Sequence, residues 1–364
     1  MRLTTLLFCL FLLCAAMYGQ QPYFQQQTNY TIEAVLDDST HQLQADWRME
    51  YTNNSPDALA FIYLHLWPNA YQNNSTAFAK QMLKSGDDSF YFADEKDFGF
   101  IDELEFTADG VPIDAAKTEW GPDVVKLILR EPLASGETVL LHTPFRMQFP
   151  ASFSRLGHVG QSYQATQWYP KPAVYDRDGW HPMPYLNYGE YYSEFGNFDV
   201  YLTLPDNYLV GASGELKTEA ERAKLLAQAE RDAQREWSSE DESVYQQPDF
   251  PASSKATKTL HYRAENVHDF AWFADKRFYV LHDTIQLASQ TVDAWSFFTE
   301  REAHLWQESL TYIKRSTHFY SDLVGEYPYP QVTALQSALS AGGGMEYPMV
   351  TVIGISNNAR SLDG

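Results

Sequence analysis

The chain has 364 residues, of which 44% are hydrophobic and 20% charged, and its formal net charge is −22 at pH 7. This length and composition supply enough apolar surface for one large domain or two ordinary ones. The strong negative charge excludes a nucleic-acid partner, because the field of the protein would repel phosphate groups.

The N-terminus has the pattern of a targeting segment. Arg2 precedes an apolar run, Leu3–Ala16, and small and polar residues follow. This order is typical of a secretory signal, so residues 1–19 are predicted to be removed. The run is shorter than the roughly 20 residues that span a bilayer. We therefore expect an extracytoplasmic protein (periplasmic, secreted or at the cell surface) with no stable transmembrane segment.

Two alternatives remain for this segment: a retained anchor, or a lipoprotein modified at Cys14. Both cysteines, Cys9 and Cys14, lie inside it. The mature chain is therefore predicted to have no disulfide, no cysteine nucleophile and no thiolate metal site.

Short strands dominate residues 20–290, which we predict to form an N-terminal, mainly antiparallel β domain. His41–Tyr51 alternates apolar and polar residues, as a half-buried strand does. Leu59–Trp67 is apolar on both faces, which indicates an interior strand. Further strands are predicted at Val124–Leu129, Asp199–Leu204, Thr259–Arg263 and Phe278–Ala288.

A helical insertion interrupts this domain at about residues 216–237. Helix-forming residues dominate it, and Thr218 with Glu221 matches a capping box. Its apolar stripe is thin, which favours a mostly solvated helix. A partner-binding helix is the alternative.

A second unit is predicted over residues 291–364. Thr299 and Glu302 form another capping box, and Gly325 is placed to end the helix. Gln331–Ser337 is predicted to be a strand. The apolar face of the helix is predicted to consist of Trp306, Leu310, Ile313, Thr317, Tyr320 and Val324.

A glycine run, Gly342-Gly343-Gly344, stands directly before Met345-Glu346. Adjacent glycines permit close approach to the backbone, and a carboxylate held beside an open backbone suits a cationic ligand group. An ordinary glycine-rich turn with Glu346 in solvent is the alternative. The residues alone favour that turn, because short glycine runs are common.

The segment from Gly342 to Pro348 resembles the G-x-M-E-N motif of zinc aminopeptidases of the membrane-alanyl-aminopeptidase family. Three upstream segments resemble the β domain of the same family: 166–170 (TQWYP), 173–181 (AVYDRDGWH) and 193–200 (SEFGNFDV). The resemblance extends from about Tyr30 to Ile353. It implies a saddle-like β domain followed by the start of an α/β, thermolysin-like catalytic domain.

In that family the glutamate of the motif binds the free α-ammonium of a peptide substrate, and the resemblance gives this role to Glu346. It implies that the backbone of Gly343, Gly344 and Met345 lies alongside the peptide. It also implies that Gln167 helps to hold the amine. Two positions depart from the pattern. Tyr169 stands where other members often carry an acidic or amide residue, and Tyr347 replaces the usual asparagine.

The family uses zinc held by the two histidines of H-E-x-x-H and by a later glutamate. None of the ten histidines stands in that pattern, so we assign no metal ligand and no catalytic residue to this chain. The expectation is the N-terminal portion of a secreted aminopeptidase, inactive by itself.

The alternative is a non-catalytic module on the same β domain that binds peptides or glycans. Aromatic residues cluster between Trp168 and Tyr192 and could form a sugar platform. Core packing is the favoured account of them.

Overall fold

The structure is a computed structural model that describes residues 23–237, 249–300, 303–337 and 343–354. The predicted signal at residues 1–19 lies outside these ranges. No helix in the described ranges has the length and apolar character needed to cross a membrane.

Strands make up most of the regular structure in the described ranges. There, the helices α1 to α4 are Ala77–Lys84, Glu219–Asp232, Ala303–Trp306 and Ser309–Val324. Two short 3-10 helices are Trp67–Tyr71 and Glu95–Asp97. The strands β1 to β24, in chain order, are Gln27–Asp37, Gln42–Thr52, Leu59–His65, Phe100–Asp102, Thr107–Ala108, Val111–Pro112, Glu119–Trp120, Val124–Leu133, Thr138–Gln148, Gly157–Val159, Ser162–Ala165, Lys171–Pro172, Tyr175–Asp176, Gly179–Trp180, Gly196–Pro205, Leu209–Ala212, Glu215–Leu216, Thr257–Val267, Trp272–Asp275, Tyr279–Gln286, Thr291–Phe298, Gln331–Gln336, Gly344–Tyr347 and Val350–Ile353.

The N-terminal part is built on a nine-stranded sheet in the order β17-β18-β15-β1-β2-β9-β5-β6, with β4 also paired to β9. Its strands alternate buried and exposed residues. In β2 the predicted apolar face is buried throughout, and Trp47 at its centre is fully enclosed. Burial of alternate side chains fixes the register, since a slip of one residue would turn this face to solvent. The prediction of a mainly antiparallel β domain is confirmed.

One pair in this sheet, β1 with β15, is parallel rather than antiparallel. Gly196 stands at its start, opposite Thr28, and a Cβ on Gly196 would lie 1.4 Å from the Thr28 carbonyl oxygen. Only glycine allows the two backbones to approach this closely.

Smaller sheets complete the β domain. β10-β11-β19-β16 and β12-β3-β8-β7 are four-stranded, and β13 pairs with β14. One apolar cluster joins the nine-stranded sheet to both four-stranded sheets, with Trp168, Trp272 and Tyr208 among its buried members. The domain therefore has a shared core between its sheets.

A five-stranded sheet, β20-β21-β22-β24-β23, forms the C-terminal part. β21, β22 and β24 are parallel, while β20 and β23 pair antiparallel at the two edges. α3 and α4 lie between β21 and β22 in the chain, which gives the crossover expected of parallel strands. The prediction of an α/β unit here is confirmed.

The predicted division at residue 291 falls between two paired strands. β20 hydrogen-bonds to β21, so the strand predicted at Phe278–Ala288 groups with the C-terminal sheet. Sequence analysis also assigned no strand to residues 291–298.

α2 confirms the predicted helical insertion, but the predicted capping box is wrong. The Thr218 hydroxyl accepts a hydrogen bond from the backbone N–H of His261 at 2.8 Å instead of capping the helix. The Glu221 carboxylate pairs with Lys258. Both side chains of the predicted cap, Thr218 and Glu221, therefore bind residues distant in sequence instead of the end of the helix.

α2 is also less solvated than predicted. Leu225 and Ala229 are buried in the core of the five-stranded sheet. The buried Asp232 accepts a hydrogen bond from the backbone N–H of Val280 at 3.0 Å. The helix therefore covers the β20 edge of that sheet.

The face predicted for the later helix is confirmed in part. Trp306, Ile313 and Thr317 are buried, whereas Tyr320 and Val324 are exposed. Gly325 ends α4 with φ of 118°, as predicted. Of the second predicted capping box, Glu302 lies outside the described residues.

Candidate functional site

Glu346 lies on β23, which forms one edge of the five-stranded sheet. Within the described ranges, β23 pairs only with β24. Gly344 and Glu346 are exposed, Met345 is half-buried and Tyr347 is buried. The free edge of β23 therefore offers backbone groups to an added strand, with Glu346 beside them.

The two described glycines of the motif differ in the space beside them. A Cβ added to Gly343 would meet no atom within 4 Å, whereas one added to Gly344 would lie a tight 3.3 Å from the carbonyl oxygen of Val352. Neither glycine has a positive φ. Gly343 therefore leaves room beside the edge, and Gly344 permits close pairing with β24. Gly342 lies outside the described residues.

A tight turn docks the β23–β24 hairpin against the β domain. Tyr347 pairs with Val350, so Pro348 and Met349 alone form the loop. Met349 has φ of 62°, an uncommon value for a residue with a side chain. Its side chain is buried in the core of the β domain. This burial explains how the strained turn is held in place.

Gln167 lies in the β domain, in the segment that follows β11. It is buried and has φ of 49°, in the left-handed region. Its Nε2 donates to Oδ2 of Asp269 at 3.2 Å. Its Oε1 is buried and has no hydrogen-bond partner among the described residues. This oxygen therefore keeps its capacity to accept a hydrogen bond unused within the described residues.

Asp269 organises the surroundings of Gln167. Besides the Gln167 amide, it accepts a hydrogen bond from the Tyr169 hydroxyl at 2.8 Å and pairs with Lys171 Nζ at 2.8 Å. All of these side chains are buried. Burial alone would raise the pKa of Asp269, but Lys171, together with the hydrogen bonds, holds this pKa below its usual value. Burial lowers the pKa of Lys171, against the opposing charge of Asp269.

Sequence analysis missed Asp269. It stands directly before the apolar run Phe270–Ala274, which the structure buries completely. A carboxylate at the entrance to such a run could have indicated a buried ion pair. Tyr169, one of the two positions that depart from the resembled motif, donates a hydrogen bond to Asp269 through its hydroxyl.

Two contacts join the β domain near Gln167 to the C-terminal part of the chain. The Tyr347 hydroxyl of β23 lies beside Thr166; burial raises the pKa of Tyr347, and Thr166 opposes this rise. Neither hydroxyl completes a hydrogen bond of acceptable geometry. The Ser337 hydroxyl, just after β22, donates to Gln164 Oε1 at 2.7 Å.

The contact of Tyr347 with Thr166 joins the sequence neighbours of the two predicted amine ligands, Glu346 and Gln167. In the described ranges no hydrogen bond or ion pair joins Glu346 to Gln167, and none engages the Glu346 carboxylate. The roles of Glu346, Gly343, Gly344, Met345 and Gln167 therefore stay predictions.

The described residues do not fit a zinc ion. No group of three or more histidine, cysteine, aspartate or glutamate side chains in the described part of the chain could hold a metal.

The aromatic cluster is used largely for packing. Trp168, Tyr169 and Tyr185 are buried in the core, and Trp180 packs against it. Tyr188 and Tyr192 are the exceptions, with 61% and 47% of their surfaces exposed.

Solved structures share this fold, although no family model and no curated protein matches the sequence. A variant of a two-domain M1 zinc metallopeptidase, bound to L-tryptophan, is 14% identical over 94% of this chain and 63% of that chain, with a TM-score of 0.54. The M1 zinc metallopeptidase from Deinococcus radiodurans is 15% identical over 94% of this chain and 62% of that chain, with a TM-score of 0.52. A variant of the Deinococcus radiodurans enzyme bound to a Tyr-Ser-Ala substrate is 14% identical over 92% of this chain, with a TM-score of 0.53.

The chain therefore spans less than two thirds of the length of these structures. At such low identity the likeness concerns the fold. The fold of this chain is that of the N-terminal portion of two-domain M1 zinc metallopeptidases.

Proposed function

We propose that this chain is the N-terminal part of a secreted, zinc-dependent aminopeptidase, and that Glu346 holds the α-amine of the peptide. The observation that carries the proposal is the exposed Glu346 on a free strand edge, where its neighbour Tyr347 lies beside Thr166, the residue before Gln167. The buried and unpartnered Oε1 of Gln167 supports it.

A peptide α-ammonium has three N–H donors and a positive charge. It requires oxygen acceptors, at least one of them anionic, for a strong charge-assisted contact. The Glu346 carboxylate and Gln167 Oε1 supply both kinds. An enzyme that anchors the free amine places the first peptide bond at a fixed distance, which limits cleavage to the first residue.

The free edge of β23 supports the second part of the proposal. An extended peptide can add to such an edge as one more strand through backbone hydrogen bonds. The open space at Gly343 leaves room beside the strand. The backbone of Gly343, Gly344 and Met345 would then bind the peptide without regard to its side chains.

Asp269 acts in this proposal as a positioning residue. Because Asp269 accepts a hydrogen bond from Nε2 of Gln167, the amide is oriented with Oε1 free to accept from a ligand. The ion pair with Lys171 keeps Asp269 ionised and therefore unable to donate.

The zinc and the hydrolysis are proposed from the family resemblance alone. The described residues include no group of side chains that could hold the metal. We expect this polypeptide to bind peptide amino termini without hydrolysing them. A non-catalytic module on the same β domain would use the same amine contact.

Peptide titration of purified protein tests the amine site. Tyr-Ser-Ala should bind at least about tenfold more tightly than its N-acetylated form, because acetylation removes the charge that Glu346 recognises. Glu346→Gln should lower the affinity for the free peptide by about tenfold or more.

Glu131→Gln is the matched control, because Glu131 is also an exposed strand glutamate but lies in the β domain. This variant should bind Tyr-Ser-Ala as the unmodified chain does. Equal affinity for free and acetylated peptides would refute the amine site.

A further inference from the structure

The β domain contains a cavity that is separate from the candidate amine site. Its volume is about 370 Å³. Its walls come from three segments: the residues that precede β1, the strand β13 and the segment before β15. Its lining includes Phe24, Tyr175, Tyr192, Glu194, Phe195 and His268.

Glu194 is the buried charged group of this cavity. Its side chain lines the space although the residue is only 5% exposed. The backbone N–H of Tyr175 donates to its Oε1 at a long 3.4 Å. No lysine or arginine of the described ranges forms an ion pair with it. Burial of an uncompensated carboxylate is costly, and burial raises the pKa of Glu194 to about 8.

Two buried cations of the β domain, Lys171 and Arg155, are engaged elsewhere. Lys171 pairs with Asp269, and the Arg155 guanidinium donates to the carbonyl oxygens of Asn187 and Gly189. Burial lowers the pKa of His268, which favours its neutral form at pH 7. The protein therefore supplies no counter-charge to Glu194 from these groups.

Aromatic rings surround the carboxylate. Tyr175, Tyr192 and Phe195 line the same space, and the Tyr192 hydroxyl donates to Asp176 Oδ2 at 3.1 Å, which fixes its ring. Aromatic faces attract cations, most strongly where water is excluded. A carboxylate among aromatic rings is therefore chemically suited to an organic cation.

We propose that this cavity binds an alkylammonium or alkylguanidinium group, such as the side chain of a lysine or arginine, with Glu194 as its counter-ion. The aromatic rings hold the alkyl stem and the adjacent charge. The net charge of −22 draws cations toward the protein. The Lys171–Asp269 pair stands between this cavity and Gln167, since Lys171 contacts Ser193 on one side and Asp269 on the other.

Titration of the full chain with n-butylammonium chloride at about pH 8.5 to 9, followed by carbon-detected NMR, tests the proposal, because Glu194 with a pKa of about 8 is mostly ionised there and the ammonium keeps its charge. We expect saturable shifts in residues 174–176 and 192–195. 1-Butanol has the same number of heavy atoms and no charge, so it should bind at least about tenfold more weakly. Glu194→Gln should lower the butylammonium affinity by about tenfold or more. Glu190→Gln is the matched control, an exposed glutamate in the same segment, and should leave the affinity unchanged.

A second variant protects the test against misfolding of the first. Tyr192 is half-exposed, so Tyr192→Leu should fold and should weaken butylammonium binding severalfold. The absence of shifts in the cavity, or equal binding of butylammonium and 1-butanol, would overturn the proposal. The probe carries the same ammonium group that Glu346 is proposed to bind, so shifts at residues 174–176 and 192–195, rather than on β23, distinguish this cavity from the Glu346 site.

Discussion

Two buried carboxylates of the β domain, Asp269 and Glu194, have opposite electrostatic surroundings. Asp269 has a lysine, a tyrosine hydroxyl and an amide as partners, and its pKa is lowered. Glu194 has no cationic partner in the described ranges, and burial raises its pKa to about 8. A compensated charge and an uncompensated charge therefore lie on either side of Lys171.

Removal of the Asp269 charge should destabilise the protein strongly. Asp269→Asn leaves Lys171 buried without its counter-ion, which typically costs about 3–5 kcal/mol. Denaturant unfolding at pH 7 measures this loss. The double variant Asp269→Asn with Lys171→Met should recover a large part of it, because no unpaired charge remains. If the single variant Asp269→Asn and the double variant had equal free energies of unfolding, a buried ion pair would be contradicted.

Glu194 should make stability depend on pH in a defined direction. Its pKa is higher in the folded chain than its ordinary value of 4.5, so the folded state binds more protons between these two values. The stabilising contribution is complete below about pH 4.5 and is lost as pH rises through about 8. Glu194→Gln should therefore gain at least about 1 kcal/mol relative to the unmodified chain between pH 5 and pH 9. If the difference in the free energy of unfolding between the variant and the unmodified chain were the same at pH 5 and pH 9, the raised pKa would be refuted.

At the scale of elements, sequence patterns predicted those structures that depend on local periodicity. The alternation over residues 41–51 predicted β2 correctly because one face of that strand is buried on a core. The capping box at Thr218 was wrong because His261, distant in sequence, takes the Thr218 hydroxyl. Tyr320 and Val324 continue the helical period of α4 but remain exposed, since periodicity does not reveal where a packing partner ends.

The parallel β1–β15 pair should depend on the absence of a side chain at Gly196. Gly196→Ala forces a Cβ to within 1.4 Å of the Thr28 carbonyl oxygen unless the strands separate. We expect a loss of at least about 3 kcal/mol in the free energy of unfolding, in the range of severe substitutions. Gly343→Ala, whose Cβ meets open space, should change stability by less than about 0.5 kcal/mol. Similar losses in both variants would contradict the close approach.

At the scale of the whole molecule, the candidate site depends on contacts between the two parts of the chain. Met349 enters the core of the β domain, and Ser337 hydrogen-bonds to Gln164. Sequence analysis predicted both parts and, by resemblance, Glu346 and Gln167. It missed Asp269, because the Gln167–Asp269 contact spans 102 residues and has no local pattern.

Glu346 and Gln167 are proposed to hold a peptide amine at the edge of β23. A crystal structure of this chain with Tyr-Ser-Ala tests it most directly. We predict that the peptide adds to β23 as a strand, with its α-ammonium within hydrogen-bonding distance, about 3 Å, of the Glu346 carboxylate and Gln167 Oε1. A peptide bound elsewhere, or bound at β23 with its amine turned away from Glu346, would contradict the account.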